Sequence, residues 1–141
     1  MVLKEQTFVM VKPDGVAKGV TEEVVKRLEK AGLKVVSARR LRLNRRLAEE
    51  LYSVHKGKDF FEALVVHVLS GEVVVMKVDG EGAISKVRAL IGPTNPAAAP
   101  HGTIRGDFGR DIINTIIRKN IVHASDSPES AKRELEIFFK H

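Results

Sequence analysis

The chain has 141 residues, 24 Lys+Arg against 18 Asp+Glu (net charge +6), and 43% hydrophobic residues. That length suits a single domain over 1–141, and the apolar share excludes a wholly disordered chain. The absence of Cys excludes a disulfide framework, a zinc–thiolate site, an iron–sulfur cluster and a cysteine nucleophile, while the basic excess points to anionic partners: nucleic acid, nucleotides or an acidic surface.

The chain opens on MVLKEQTF, without an apolar stretch after a basic start, and its longest apolar runs fall short of the ~18 residues of a membrane span. A cytoplasmic protein with no membrane partner is the expectation. Residues 6–12 are β-rich and predict a first strand ending at Lys12, with Pro13-Asp14-Gly15 as the turn that stops it. A helix follows from Thr21, with Thr at the cap, Glu22 and Glu23 in the first turn, and Gly32 as the stop. Val24, Val25 and Leu28 form its apolar face.

Residues 34–43 predict a second strand, since Arg40, Leu41, Arg42 and Leu43 alternate. Asn44 caps a short helix in which Leu47 and Leu51 share a face, and Phe60 to Leu69 reads as another helix ended by Gly71. The run from Glu72 to Val78 suits a strand covered on both faces, and Gly82 to Ile91 a further helix. Residues 92–103 hold three of the five prolines and cannot be a regular element; a loop of that length is usually functional or disordered. Residues 109–119 are locally ambiguous, Ile121 to His123 reads as a short strand, and Pro128 opens a last helix whose Ala131, Leu135, Phe138 and Phe139 face inward. Four strands separated by helical segments fit an α+β sandwich of the ferredoxin-like βαββαβ kind, with a four-stranded antiparallel sheet and added helices.

Few residues could carry chemistry. His123 ends a strand before a Ser-Asp-Ser cluster, and an imidazole is largely neutral near pH 7 and nucleophilic; a buried histidine satisfied by a carbonyl is the competing explanation. Lys12 beside a turn can meet a phosphate or a sugar hydroxyl. Arg88 and Arg105 bracket the Pro-rich loop and can clamp a polyphosphate. In a chain with one Tyr and no Trp, Tyr52 and Phe60 stand out as rings that can stack on a base, although a Phe pair at a helix start is more often a core anchor, the reading kept for Phe61. The basic stretch from Arg39 to Arg46 suits either nucleic acid or the wet face of an edge strand. No G-x-x-x-x-G-K-[ST] phosphate loop, no G-x-G-x-x-G and no H-E-x-x-H occurs.

Taken together, Thr7 to Gly15 (TFVMVKPDG), Gly92 to Pro96 (GPTNP), Gly102 to Phe108 (GTIRGDF) and Asn120 to Ser127 (NIVHASDS) closely resemble nucleoside diphosphate kinase. The resemblance spans essentially the whole chain. It implies a ping-pong reaction in which a nucleoside triphosphate phosphorylates His123, usually on the δ nitrogen, and a nucleoside diphosphate takes the group. It implies that Ser125 and Glu134 support that ring and that Tyr52 lies near it. Lys12 would contact the ribose hydroxyl and the phosphates, Asn120 the ribose 3′ hydroxyl, and Arg88, Thr94 and Arg105 the β- and γ-phosphates. Phe60 would stack on the base and Ile117 cover its opposite face. It further implies Mg2+ bound through the nucleotide phosphates rather than by a protein metal site, and a homo-oligomer, hexamer favoured over tetramer.

Three departures from the family pattern stand out. Ala124 replaces the usual Gly beside the histidine, where a methyl would crowd a turn needing positive φ. His67 stands where Tyr is frequent, and residues 109–119 are about five residues longer than usual, a change loops tolerate, with subunit contact as the expected use. The rival is a non-catalytic nucleic-acid-binding module on the same topology. It is disfavoured because the third strand lacks the aromatic pair that stacks bases; nucleic acid is therefore not a required partner.

Overall fold

A computed structural model describes residues 4–93, 98–109 and 121–139. The sheet contains β1 (Lys4–Val11), β2 (Lys34–Leu41), β3 (Val73–Glu81) and β4 (Val122–Ala124), in the spatial order β2-β3-β1-β4. Every pairing is antiparallel, with Val9 opposite Met76 and Met10 opposite His123. This is the ferredoxin-like α+β arrangement predicted from the element order.

The helices are α1 (Pro13–Ala17), α2 (Thr21–Lys30), α3 (Arg45–Leu51), α4 (Phe61–Leu69), α5 (Ala83–Ile91), α6 (Ile104–Phe108) and α7 (Pro128–Phe139). Strand alternation sorts them onto two faces. Val9, Val11, Val74, Met76 and Val78 pack with Val24 and Leu28 of α2 and Val87 and Ile91 of α5. Phe8, Met10, Val73 and Val75 pack with Leu51, Val65, Val68 and Phe138 from α3, α4 and α7. The apolar run of β3, broken only by Lys77 up to Val78, is thus the run of an inner strand clothed on both sides.

The same alternation aims the site. Val122 and Ala124 join the α2/α5 core, so His123, between them, faces the side of α3, α4 and α7. Among the described residues β4 is an edge strand, and its outer carbonyls are covered by arginines. Arg105 Nη2 donates to Val122 O at 2.8 Å, and Arg88 Nη1 to Ala124 O at 3.3 Å. An edge that would otherwise offer unpaired carbonyls therefore recruits guanidinium groups beside the histidine.

Several local expectations change. The first strand stops at Val11, and Lys12 instead precedes α1, where a turn was expected. Pro13 sits in the first turn of α1, where its missing N–H costs nothing. Thr21 is already helical, and Val20 holds the cap position without a side-chain bond. Gly32 has φ +87°, which supplies the stop. β2 ends at Leu41, two residues early, and Leu43 turns into the core. The Asn44 cap stands, its Oδ1 accepting from Leu47 N at 2.8 Å. A short helix not read from the sequence, α6, follows Thr103, whose Oγ1 accepts from Gly106 N at 3.0 Å. Ala124 occupies no positive-φ turn: it is a buried strand residue opposite Val9. Positive φ belongs instead to Ile121, at +76°. The expected lengthening at 109–119 falls largely outside the described residues. Among those described, no helix is long and apolar enough to cross a membrane.

Candidate active site

A cleft of about 470 Å³ opens at the end of the sheet beside β4, and Lys12, Tyr52, Phe60, Arg88, Arg105, His123 and Glu134 all line it. Residues spread from 12 to 134 thus converge because β1 and β4 are neighbours and α3, α4 and α7 cover the same face. Thr94, Ile117 and Asn120 lie outside the described residues.

The histidine is held from behind. His123 Nε2 lies 2.9 Å from Glu134 Oε1, which also accepts from Ser125 Oγ at 2.7 Å. A carboxylate oxygen only accepts, so Nε2 carries the proton and Nδ1 is left as the lone-pair nitrogen. Ser125 is anchored in turn by its backbone N–H to Phe8 O at 3.1 Å. Glu134 is 3% exposed and Ser125 1%, whereas the His123 side chain keeps 20% of its surface accessible. The support is buried and the ring is reachable. Phe8 lies 5.9 Å from the imidazole, and Tyr52 meets it edge-on at 5.9 Å and 89°. The Tyr52 hydroxyl is buried without a hydrogen-bond partner among the described residues. Burial, then the charges of Glu134 and Asp14, push its pKa up, so it stays a donor.

The cations come from the other core face. Arg105 also donates through Nη1 to Gly92 O at 2.9 Å, and it is nearly buried. Burial and then the neighbouring Arg88 charge lower its pKa to about 10, yet it remains charged at neutral pH. Lys12 is 3% exposed, and its backbone N–H donates to Ile121 O at 2.8 Å. Phe60 caps α4 at the cleft's outer wall, with Lys58 Nζ 5.8 Å above its ring. Among the described residues no group of three His, Asp or Glu side chains gathers to hold a metal ion.

Three lining residues escaped the sequence reading. His55 packs 5.1 Å from Phe60, and its buried Nδ1 finds no partner among the described residues. Burial, Lys58 and His123 all lower its pKa. Asp126 lines the cleft with a pKa lowered mainly by a hydrogen bond from Ser130; its place in the Ser-Asp-Ser block was the available signal. Arg133 donates to Glu50 O at 2.8 Å, tying α7 to the end of α3 next to Tyr52. Nothing distinguishes it in sequence from the other basic residues.

An imidazole with one free nitrogen, backed by a buried carboxylate and faced by a lysine and two arginines, defines a phosphotransferase site. The comparisons with known proteins agree. The family profile for nucleoside diphosphate kinase matches residues 5–141. A nucleoside diphosphate kinase of Archaeoglobus fulgidus is 55% identical over 96% of this chain and 86% of its own length. One from Sulfurisphaera tokodaii is 48% identical over 96% and 89%. A crystal structure of the Encephalitozoon cuniculi kinase superposes with a TM-score of 0.90 at 36% identity, covering 97% of this chain and 90% of that one. A Halobacterium salinarum kinase in complex with CDP gives 0.90 at 42% identity, covering 99% and 90%. The chain belongs to the nucleoside diphosphate kinase family.

Proposed function

We propose that His123 Nδ1 takes the γ-phosphoryl group of a nucleoside triphosphate and passes it to a nucleoside diphosphate. The observation that carries this reading is the 2.9 Å bond from Nε2 to Glu134. It sets the tautomer, leaves the other nitrogen nucleophilic, and places a negative charge against the ring as the ring becomes positive on attack. Ser125 holds the same carboxylate oxygen and fixes its aim.

Phosphoryl transfer needs positioning and charge neutralisation more than covalent chemistry by the protein. Lys12 serves the ribose hydroxyl and phosphates, and Arg88, Arg105 and Thr94 the β- and γ-phosphates. The Tyr52 hydroxyl, buried and unpartnered among the described residues, suits a donor to the transferred group. Phe60 stacks on the base, Ile117 covers its other face and Asn120 bonds the ribose 3′ hydroxyl. Stacking with sugar contacts gives loose base selectivity, because every base has a π-face. The CDP held by the Halobacterium relative supports a nucleoside diphosphate in this cleft.

The cleft's lining is mainly cationic, with Asp126 the carboxylate left beside Glu134, and fits a metal carried on phosphate oxygens rather than by the protein. Mg2+ held in this way, through the nucleotide phosphates, supplies charge neutralisation on the transferring group. One domain over 1–141, a cytoplasmic location and a homo-oligomer, hexameric rather than tetrameric, complete the reading, with no membrane partner and no need of nucleic acid.

Incubation with γ-labelled ATP and magnesium tests it. Acid-labile, base-stable label should form on the chain and transfer to any added nucleoside diphosphate. The His123→Ala variant should fold and take no label; normal labelling of that variant would overturn the mechanism.

A further inference from the structure

We propose that Asp14 and His67 form a clamp that positions the phosphoryl-accepting histidine by fixing the Ile121 peptide; this rests on the assignment of His123 as acceptor. Ile121 is a β-branched residue at φ +76° and is fully buried. A branched L-residue seldom adopts that region, and such a conformation persists only where the surroundings over-determine it.

Here they do. Ile121 N donates to Asp14 Oδ2 at 2.8 Å, and Ile121 O accepts from Lys12 N, also at 2.8 Å. The space behind the carbonyl is closed by Gly15, where a Cβ would meet Ile121 O at 2.8 Å. Asp14 is held in turn by His67 Nε2, 2.9 Å from Oδ1. That contact is nearly sealed, with side chains 3% and 9% exposed. Because Asp14 accepts on both oxygens, His67 donates, and one carboxylate is shared between the ring and the strained peptide. Burial opposes the Asp14 charge, but the bond from His67, the Lys12 charge and the Ile121 N–H outweigh it and hold the carboxyl below its usual range.

The position of this clamp gives it its function. β4 has only three residues, too few ladder bonds to fix by itself where His123 stands. Its downstream side is set by Ser125 and Glu134, as described above. Its upstream side is set at Ile121, two residues before the imidazole, by groups on α1 and α4. Helix α4 begins directly after Phe60 and carries His67 near its far end, so one helix connects the proposed base platform to the strand bearing the acceptor. Asp14 and His67 touch no reacting atom. They are positioning residues, and their loss should slow the transfer step while leaving nucleotide affinity nearly intact.

The test compares His67→Phe, which keeps a flat ring but no donor, with His67→Gln, which restores a donating amide. The readouts are the single-turnover rate of His123 phosphorylation at saturating Mg·ATP and the dissociation constant of a nucleoside diphosphate by calorimetry. Circular dichroism first establishes that each variant is folded at the assay temperature. His67→Phe should lose about tenfold to hundredfold in rate, the scale of a small misplacement of a reacting group, with little change in affinity, and His67→Gln should recover most of it. Should His67→Phe fail to fold, Asp14→Asn, which cannot accept on both sides, should show the same loss. A folded His67→Phe or Asp14→Asn enzyme with the wild-type rate, or a loss confined to affinity, overturns the clamp. Label persisting in His123→Ala would overturn the acceptor assignment instead, so the two failures are distinguishable.

Discussion

Replacing Glu134 by Gln probes the charge behind the acceptor while leaving its shape alone. Glutamine keeps an oxygen that can accept from His123 Nε2 and Ser125 Oγ, now 2.9 and 2.7 Å from Glu134 Oε1. What disappears is the negative charge that faces the ring when attack makes it positive. Coulomb's law at 2.9 Å with an effective dielectric of ~20 gives about 6 kcal/mol as an upper bound. Charge-assisted hydrogen bonds exceed neutral ones by only about 1–2 kcal/mol net. A loss of about 2–3 kcal/mol in transition-state stabilisation lies between these limits and corresponds to roughly 30- to 150-fold in rate.

The assay is single-turnover formation of the phosphoenzyme from labelled Mg·ATP, alongside thermal unfolding. The variant also gives up the ion pair between Glu134 Oε2 and the part-exposed Arg133 Nη2 at 3.4 Å, so Tm should fall only slightly. Glu134→Ala should behave differently, since it strands two donors in a buried site and lowers Tm as well as rate. A Glu134→Gln enzyme phosphorylated at the wild-type rate would refute the electrostatic role and reduce Glu134 to a hydrogen-bonding prop.

His55 should titrate below the ordinary histidine value, because burial, Lys58 and His123 all disfavour its cation. Between its folded-state pKa and about 6.5 the unfolded chain binds more protons, so stability rises with pH across that window. NMR titration of the ring should show a low midpoint that moves up in Lys58→Gln; a midpoint at or above 6.5 would contradict the assignment. Gly15→Ala should cost about 1–3 kcal/mol by overpacking, since the new Cβ would lie 2.8 Å from both Ile121 O and Val11 Cγ1; an unchanged Tm would show that α1 yields. Asn44→Ala should cost about 1 kcal/mol through the lost α3 cap, read by chemical denaturation, whereas Asn44→Ser should retain most of it.

The sequence made legible what depends on local periodicity. The apolar run of β3, the β-rich composition of β1, and the Pro128 and Asn44 helix starts each state their structure within one or two turns. The family motif identified the residues now gathered at the cleft, but the reason they meet is topological, since β4 lies beside β1 across more than a hundred residues of chain. Features settled by long-range contact were not legible. Pro-Asp-Gly reads as a turn, yet Asp14 lies in α1 and is drawn to Ile121 and His67. The family pattern, with glycine usual at the position of Ala124, points to positive φ there, and it falls instead on Ile121, a residue whose branching argues against it. Arg133 carries no local mark because most of its contacts, to the main-chain carbonyls of Glu50 and Leu51 and to Ser53 Oγ, lie some eighty residues away, Glu134 Oε2 being the neighbouring exception.

Charge, the least specific clue in the composition, acquires a definite meaning at Arg105. Most of the 24 basic residues lie outside the cleft and say little about function. Arg105 differs because burial and Arg88 bring its pKa down to about 10, which means that the fold opposes a charge it nevertheless keeps at neutral pH. The sign follows from the direction of the shift. A cation whose folded-state pKa is lowered destabilises the fold at neutral pH, and that cost, roughly 3 kcal/mol at ~1.4 kcal/mol per pKa unit, fades only as pH rises through 10 toward the ordinary arginine range. Its bonds to Gly92 O and Val122 O offset the cost in part. A bound polyphosphate would offset it further by placing negative charge between Arg88 and Arg105. The free protein therefore carries a local electrostatic conflict that its proposed ligand relieves, as expected where a functional site departs from the consistency of the surrounding fold.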